Sequence, residues 1–98
     1  MDAMSTDAPD PGIRITLLGK PGCHLCDDAR DVVLAVRDEL AALPDGPRVA
    51  YEEASILDDE RMRERYAELI PVLLIDGEEH AHWRVDPVRL KSALLEHA

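Results

Sequence analysis

The fold is decided by residues 13–26, which read IRITLLGKPGCHLC. The first six residues are β-branched and mostly apolar, and glycines flank them, so they predict a central strand. The Gly-Lys-Pro-Gly segment that follows has the composition of a loop. Apolar side chains then recur at spacings of three and four, which predicts a helix with one buried face: Cys26, Ala29, Val33, Val36 and Leu40.

The rest of the chain predicts three more strands and two more helices. The first helix should end near Leu43, before a Pro-Asp-Gly-Pro turn. The later elements are expected to be a strand at 48–54, a helix at 58–68 capped by Ser55 or Asp58, a strand at 72–75, a strand at 79–84 and a terminal helix after Asp86. Asp76-Gly77 is a two-residue hairpin signal.

The order of these elements, β-α-β-α-β-β-α, predicts an α/β domain. Because helices connect the first three strands, we expect those strands to be parallel, and the hairpin adds an antiparallel strand. The prediction is a four-stranded mixed sheet flanked by three helices. The buried side of the second helix should carry Met62, Tyr66 and Leu69, and the second strand should turn Val49 and Tyr51 inward.

Composition limits the classes of partner. The 98 residues carry 11 basic and 21 acidic side chains, a formal net charge of −10, and only 3% are aromatic. Such a charge repels nucleic acids and anionic membranes, and it favours a soluble monomer. No apolar run approaches the ~18 residues of a membrane span.

The N-terminal segment predicts a tail rather than a signal. Residues 1–12 are rich in Asp and Pro and offer little to bury, so we expect a disordered tail followed by one domain at 13–98. The segment has neither a basic region nor an apolar region of a secretory signal. We therefore expect a cytoplasmic protein, in which thiols are kept reduced.

The two cysteines, Cys23 and Cys26, predict redox chemistry. They stand at the start of a helix, where free backbone N–H groups stabilise an anion. Helix-start and CxxC cysteines have pKa values of roughly 3.5–7.5, against about 8.5 for a free thiol. Cys23, at the exposed edge, is the candidate nucleophile, and Cys26, on the buried stripe, is the candidate resolving thiol.

A metal site is the main alternative from the residues alone. His80 and His82 alternate along a predicted strand and should point to the same face, so with the two cysteines they could form a Cys2His2 set. The spacing matches no zinc-finger pattern, and two exposed polar side chains are the simpler interpretation. We predict no metal ligand.

Residues near the cysteines have two interpretations each. His24 and Lys20 could supply positive charge to a thiolate or a substrate carboxylate, or they could be solvated surface side chains. Ile70-Pro71 precedes a buried strand, and the residues alone favour an ordinary trans proline at a strand start.

The chain resembles the glutaredoxin-like branch of the thioredoxin superfamily, and in particular small bacterial glutaredoxin-like proteins. The resemblance covers residues 13–95. It rests on Lys20-Pro21-Gly22-Cys23-His24-Leu25-Cys26 after the first strand, Ile70-Pro71-Val72 before the third, the order of the elements, and Trp83-Arg84 before the last helix.

The resemblance implies a thioredoxin-like fold and a set of roles. Cys23 would be the nucleophile and Cys26 the resolving cysteine. Pro71 would be a cis-proline packed against the disulfide, and the backbone of Ile70 would pair with an extended substrate or with glutathione. Lys20 would meet a glutathione carboxylate. The Gly-Gly turn usual in glutaredoxins is absent from this chain.

The predicted function is thiol-disulfide exchange with no bound cofactor. The reduced pair would donate two electrons to a protein disulfide or a low-molecular-weight mixed disulfide. Glutathione, another small thiol or a reductase partner would restore the dithiol. The alternatives are a metal or iron–sulfur binding module that uses the CxxC pair, and an interaction scaffold without redox activity.

Overall fold

Strands and helices follow the predicted order over residues 12–97, the part of the chain that the computed structural model describes. Their bounds are, in chain order, β1 (Ile13–Gly19), α1 (His24–Ala41), β2 (Val49–Ser55), a 3-10 turn (Ile56–Asp58), α2 (Glu60–Tyr66), β3 (Val72–Ile75), β4 (Glu78–His82) and α3 (Pro87–His97). The predicted four-stranded mixed sheet with three helices is confirmed. Of the expected tail, residues 1–11 lie outside the described residues.

The sheet has the order β2-β1-β3-β4, so β1 is central as predicted. β1 and β2 are parallel, with Gly19 opposite Ser55 at their ends. β3 runs antiparallel to β1, with Val72 opposite Leu18. The prediction that the first three strands are parallel is therefore wrong for β3.

The length of the connecting helices explains the direction of β3. Helix α1 has 18 residues and spans about 27 Å, which returns the chain to the far end of the sheet. Helix α2 has 7 residues and spans only about 10 Å. The chain therefore enters β3 at the end of the sheet where β2 finished. This brings the ends of β1 and β2 and the start of β3 together.

The core lies on both faces of the sheet. The predicted stripe of α1 is buried in full, and it packs with Leu90 and Leu94 of α3 against one face. Val49 and Tyr51 are half-buried on the same face, as predicted. A smaller cluster on the other face contains Leu18, Ile56 and Val72, and Met62 and Tyr66 of α2 cover it. Leu69 also packs there, but it lies beyond the end of α2 and not on the helix as predicted.

Local capping sets the helix boundaries. The Ser55 hydroxyl accepts a hydrogen bond from the Leu57 amide and caps the 3-10 turn, whereas Asp59 rather than Asp58 caps α2. Asp86 caps α3 as predicted, because its carboxylate accepts from the Val88 amide at 2.8 Å. Among residues 12–97, no helix combines the length and apolar character needed to cross a membrane.

A β-bulge separates the two histidines of β4. Leu73 lies opposite Ala81 and Leu74 opposite Glu79, so His80 is the extra residue of the bulge. His82 lies opposite Val72, whose side chain belongs to the α2 face. Burial, and then the nearby charges of Arg89 and His97 on α3, lower the pKa of His80, so His80 lies on the α3 side. The prediction that both histidines point to the same face is therefore wrong.

Candidate active site

The candidate site lies at the edge of the sheet where β1 and β2 end and β3 begins. Leu18 of β1 pairs with Val72 of β3, and Gly19 pairs with Ser55 of β2. The loop after Gly19 leads directly into α1, which starts at His24. This arrangement brings the CxxC segment and the Ile70-Pro71 segment to the same edge of the sheet, although 43 residues lie between Cys26 and Ile70 in sequence.

Cys23 is the N-cap residue of α1. Its backbone is extended, with φ −93° and ψ 110°, and its Sγ accepts a hydrogen bond from the Cys26 amide at 3.1 Å. A sulfur at this position receives both an N–H donor and the positive end of the helix dipole. Cys23 is half-buried, and in this structure it forms a disulfide with Cys26, with the two Cα atoms 5.2 Å apart.

Cys26 lies on the buried side of α1 and is only 3% exposed. Its sulfur packs closely against Gly19: a Cβ atom added at Gly19 would lie 2.9 Å from the Cys26 Sγ. Cys23 is thus more exposed than Cys26. The assignment of Cys23 as nucleophile and Cys26 as resolving thiol stays a prediction.

Lys20 and His24 flank the disulfide, and no hydrogen bond or ion pair within residues 12–97 fixes a role for either side chain. Lys20 is exposed on the loop before Cys23, and His24 is the exposed first residue of α1. Both remain predictions as substrate-binding residues.

The Ile70-Pro71 segment is held in place by main-chain hydrogen bonds. The Ile70–Pro71 peptide bond is cis, and the Pro71 side chain is fully buried. The Pro71 carbonyl accepts from the Trp83 amide at 2.8 Å, and the Ile70 amide donates to the Tyr66 carbonyl at 3.1 Å. The Ile70 amide is therefore already engaged within the domain.

A cleft of about 230 Å³ with both apolar and charged lining residues borders the CxxC segment. Leu25, the residue before Cys26, is 47% exposed on one wall, and Trp83 is 54% exposed on another. The Trp83 indole donates to the Glu68 carbonyl at 2.9 Å, so the ring is anchored although its face is open. The remaining lining residues are Asp28, Ala29, Val32, Arg84 and Val85. Sequence reasoning had assigned no site role to Trp83.

A second cleft, of about 260 Å³, opens onto Cys26 from the side of β2. Arg30, one turn after Cys26 on α1, donates through Nε and Nη2 to both carboxylate oxygens of Glu53, at 2.7 and 3.0 Å. The same guanidinium bonds Asp27 at 2.9 Å. These hydrogen bonds hold the pKa of Glu53 below its ordinary value, so Glu53 is a carboxylate at neutral pH.

The alternative metal set is not assembled. Within residues 12–97, no three His, Cys, Asp or Glu side chains are grouped closely enough to hold one metal ion. His82 is paired with Glu79 at 3.0 Å, and His80 lies toward α3. The four residues of the Cys2His2 alternative are therefore not brought together within the described part of the chain.

Sequence comparison identifies related proteins. The family model of the glutaredoxin-like domain (DUF836) matches residues 14–95. An uncharacterised protein of Mycobacterium tuberculosis is 28% identical over 79 residues, which cover 81% of this chain and 79% of its own. A structural-genomics target from X. campestris is 31% identical and covers 82% of this chain and 93% of its own, with a TM-score of 0.62.

More distant structures share the fold. A protein from Nitrosomonas europaea has a TM-score of 0.68 at 18% identity, over 90% of this chain and 98% of its own. The thioredoxin of Fasciola hepatica has a TM-score of 0.60 at 15% identity, over 88% of this chain and 81% of its own. At these identities the likeness concerns the fold alone, and it confirms a thioredoxin-like architecture.

Proposed function

Because the chain belongs to the glutaredoxin-like domain family (DUF836), we propose that it is a thiol-disulfide oxidoreductase. Its reduced Cys23 and Cys26 reduce a protein disulfide or a low-molecular-weight mixed disulfide. The observation that carries the proposal is the hydrogen bond from the Cys26 amide to the Cys23 sulfur at the N-terminus of α1. We propose that this sulfur is the one that ionises and meets the substrate.

The first step is attack by the Cys23 thiolate on one sulfur of the substrate disulfide. A bond forms between Cys23 and that sulfur, the substrate S–S bond breaks, and the second substrate sulfur leaves as a thiolate that takes a proton from solvent. The N-terminal dipole of α1 favours the thiolate form of Cys23, which is the attacking species.

The second step is attack by Cys26 on the Cys23 sulfur of the mixed disulfide. The Cys23–Cys26 bond forms, the bond to the substrate breaks, and the reduced substrate departs. The two cysteines are already close enough to be joined in this structure. The dithiol has then given two electrons to the substrate and must itself be reduced again.

The surface around Cys23 supports binding of an extended substrate. Leu25, which stands between the two cysteines in sequence, and Trp83 offer exposed apolar area on the first cleft, and the Ile70 carbonyl adjoins the buried Pro71. We propose that the substrate main chain pairs with Ile70 in the manner of an added strand. Lys20 and His24 would contact substrate carboxylates at the other border of the site.

The cysteines themselves carry the two electrons, so the reaction needs no bound cofactor. After each turnover a soluble reductant must reduce the Cys23–Cys26 disulfide again. We propose glutathione or another low-molecular-weight thiol, or a reductase partner. The segment between Asp76 and Asp86 has no Gly-Gly turn. Contacts to glutathione would therefore have to come from Lys20, Arg84 and the cleft beside Trp83.

A reductant panel tests the proposal. The purified chain is assayed for reduction of insulin disulfides with three kinds of reductant. These are glutathione with its reductase, thioredoxin reductase with NADPH but without thioredoxin, and other small thiols. We expect at least one reductant to support turnover that depends on the protein concentration. Accessible, reduced cysteines without turnover under any reductant would overturn the enzyme proposal.

The same preparation tests the metal alternative. Protein purified without oxygen is analysed for bound metal and for visible absorption. We expect neither stoichiometric zinc nor a charge-transfer band. Stoichiometric zinc or a charge-transfer band, together with absent turnover, would instead support a metal or iron–sulfur module. In such a module Cys23 and Cys26 of two copies of the chain would bind the metal.

A further inference from the structure

Trp83, the single tryptophan of the chain, has a backbone conformation that bulky residues rarely adopt. It follows β4 directly, and its φ of 66° lies in the left-handed region. Glycine reaches this region at little cost, whereas the Cβ of other residues crowds its own backbone there. A strained residue of this kind persists only where its surroundings hold it, and such residues concentrate at functional sites.

Three hydrogen bonds join Trp83 to the segment that leads from α2 to β3. The main-chain amide of Trp83 donates to the Pro71 carbonyl at 2.8 Å and to the Leu69 carbonyl at 3.2 Å. The indole Nε1–H donates to the Glu68 carbonyl at 2.9 Å. Trp83 thus binds the carbonyls of the residues on both sides of Ile70, and the carbonyl one residue earlier as well.

Two further hydrogen bonds tie this loop, residues 68–71, back to α2. The Leu69 amide donates to the Tyr66 carbonyl at 2.8 Å, and the Ile70 amide donates to the same carbonyl at 3.1 Å. Tyr66 is the last residue of α2, which has only 7 residues, and a helix that short has little stability of its own. The bonds from Trp83 fasten the loop instead to the end of β4, which pairs with β3 in the sheet.

Burial does not explain why a tryptophan stands at this position. The side chain is 54% exposed, and its ring makes an edge-to-face contact with the ring of the preceding His82. Phenylalanine or leucine could also present apolar surface to the cleft that Leu25 borders. Neither of them has an N–H group, so the hydrogen bond to Glu68 is the contact that an indole makes and these side chains cannot.

We propose that Trp83 is a positioning residue for polypeptide substrates, which holds the 68–71 loop so that the main chain of Ile70 can pair with them. This proposal rests on the proposed function, in which that pairing presents the substrate disulfide to Cys23. The indole bond keeps Trp83 in its strained conformation, so its loss also loosens the two main-chain bonds beside Ile70. An extended main chain depends on the orientation of this loop, whereas a small disulfide without a main chain does not.

Two coloured probes separate polypeptide substrates from small ones. One is an extended peptide whose single cysteine carries 5-thio-2-nitrobenzoate as a mixed disulfide, and the other is 5,5′-dithiobis(2-nitrobenzoate). When the Cys23 thiolate attacks, it bonds to the sulfur of the peptide cysteine, or to one sulfur of the small probe, and the same coloured thiolate leaves from both. The first release from reduced protein gives a half-saturation concentration and a limiting rate for the peptide, and a rate constant for the small probe.

Because the chain has one tryptophan, biosynthetic replacement by an analogue changes Trp83 alone. Benzothienylalanine has sulfur in place of the indole N–H and keeps the size of the ring. We expect it to raise the half-saturation concentration of the peptide about fivefold, the effect of about one lost hydrogen bond, and to leave the other two values within about twofold. The matched control is 5-fluorotryptophan, which keeps the N–H group and should give the wild-type value of all three quantities.

Trp83→Ala separates positioning from direct apolar contact with the substrate. If this variant bound the peptide weakly while the benzothienylalanine protein bound it as the wild type does, the ring would act by contact and the positioning role would be wrong. Equal slowing of the benzothienylalanine protein with both probes would also contradict it, since the whole site would then be disturbed. Wild-type turnover in the reductant panel would in each case leave the proposed function standing, whereas absent turnover would remove both.

Discussion

Replacing Cys23 with serine should reduce disulfide turnover to the level of the assay without protein. A serine hydroxyl does not ionise near neutral pH and cannot form the mixed disulfide. The substitution is also mild for the fold, since serine is a preferred N-cap residue and its hydroxyl can accept the Cys26 amide that the sulfur now binds. The measurement is insulin reduction with the best reductant of the panel, with thermal unfolding to show that the domain is intact.

Replacing Cys26 with serine is the matched comparison. This variant keeps the nucleophile, so it should complete the first step and accumulate a mixed disulfide between Cys23 and the substrate, visible by mass spectrometry. The assigned order of the two cysteines would be wrong if the Cys23→Ser variant retained turnover. It would also be wrong if the Cys23→Ser variant formed a mixed disulfide between Cys26 and the substrate.

Replacing Gly19 with alanine should destabilise the domain and impair its redox site. The added methyl group would lie 2.9 Å from the Cys26 Sγ and 3.3 Å from its Cβ. Neither atom can move far, because Cys26 is buried on α1 and its sulfur is tied to Cys23. Overpacking of this kind costs about 1–3 kcal/mol of unfolding free energy. Chemical denaturation of the oxidised protein measures the loss.

A double-mutant cycle isolates the contact between Gly19 and Cys26. In a Cys26→Ala background the sulfur is gone, so Gly19→Ala should cost clearly less than in the wild type. An equal cost in both backgrounds would mean that the methyl group strains another part of the loop and that the close approach to Cys26 does not limit this position.

The sequence predicted the elements well because their signals are local. The apolar stripe of α1, the position of Cys23 before it and the Asp86 cap of α3 each depend on residues within one or two turns. The direction of β3 could not be predicted in the same way. A run of four apolar residues does not indicate in which direction the strand runs. The sequence predicts a helix at 58–68, whereas α2 covers only Glu60–Tyr66 and is too short to return the chain to the far end of the sheet.

The site was predicted only where its residues stand together in the sequence. Cys23 and Cys26, and separately Ile70-Pro71, were proposed from local motifs and from the resemblance, and their roles stay predictions. The bond between Arg30 and Glu53 joins residues 23 apart in a chain of which 33% is charged, so no spacing distinguishes it from surface pairs. The bulge at His80 likewise breaks an alternation that looked regular in the sequence.

Titration of the Cys23 thiol tests the central claim most directly. The Cys26→Ser variant leaves Cys23 as the single cysteine of the chain, so thiolate absorbance and the rate of alkylation against pH both report this one group. We expect a pKa of about 7.5 or lower, because the first turn of α1 stabilises the thiolate. A pKa at or above the ~8.5 of a free cysteine would contradict the account.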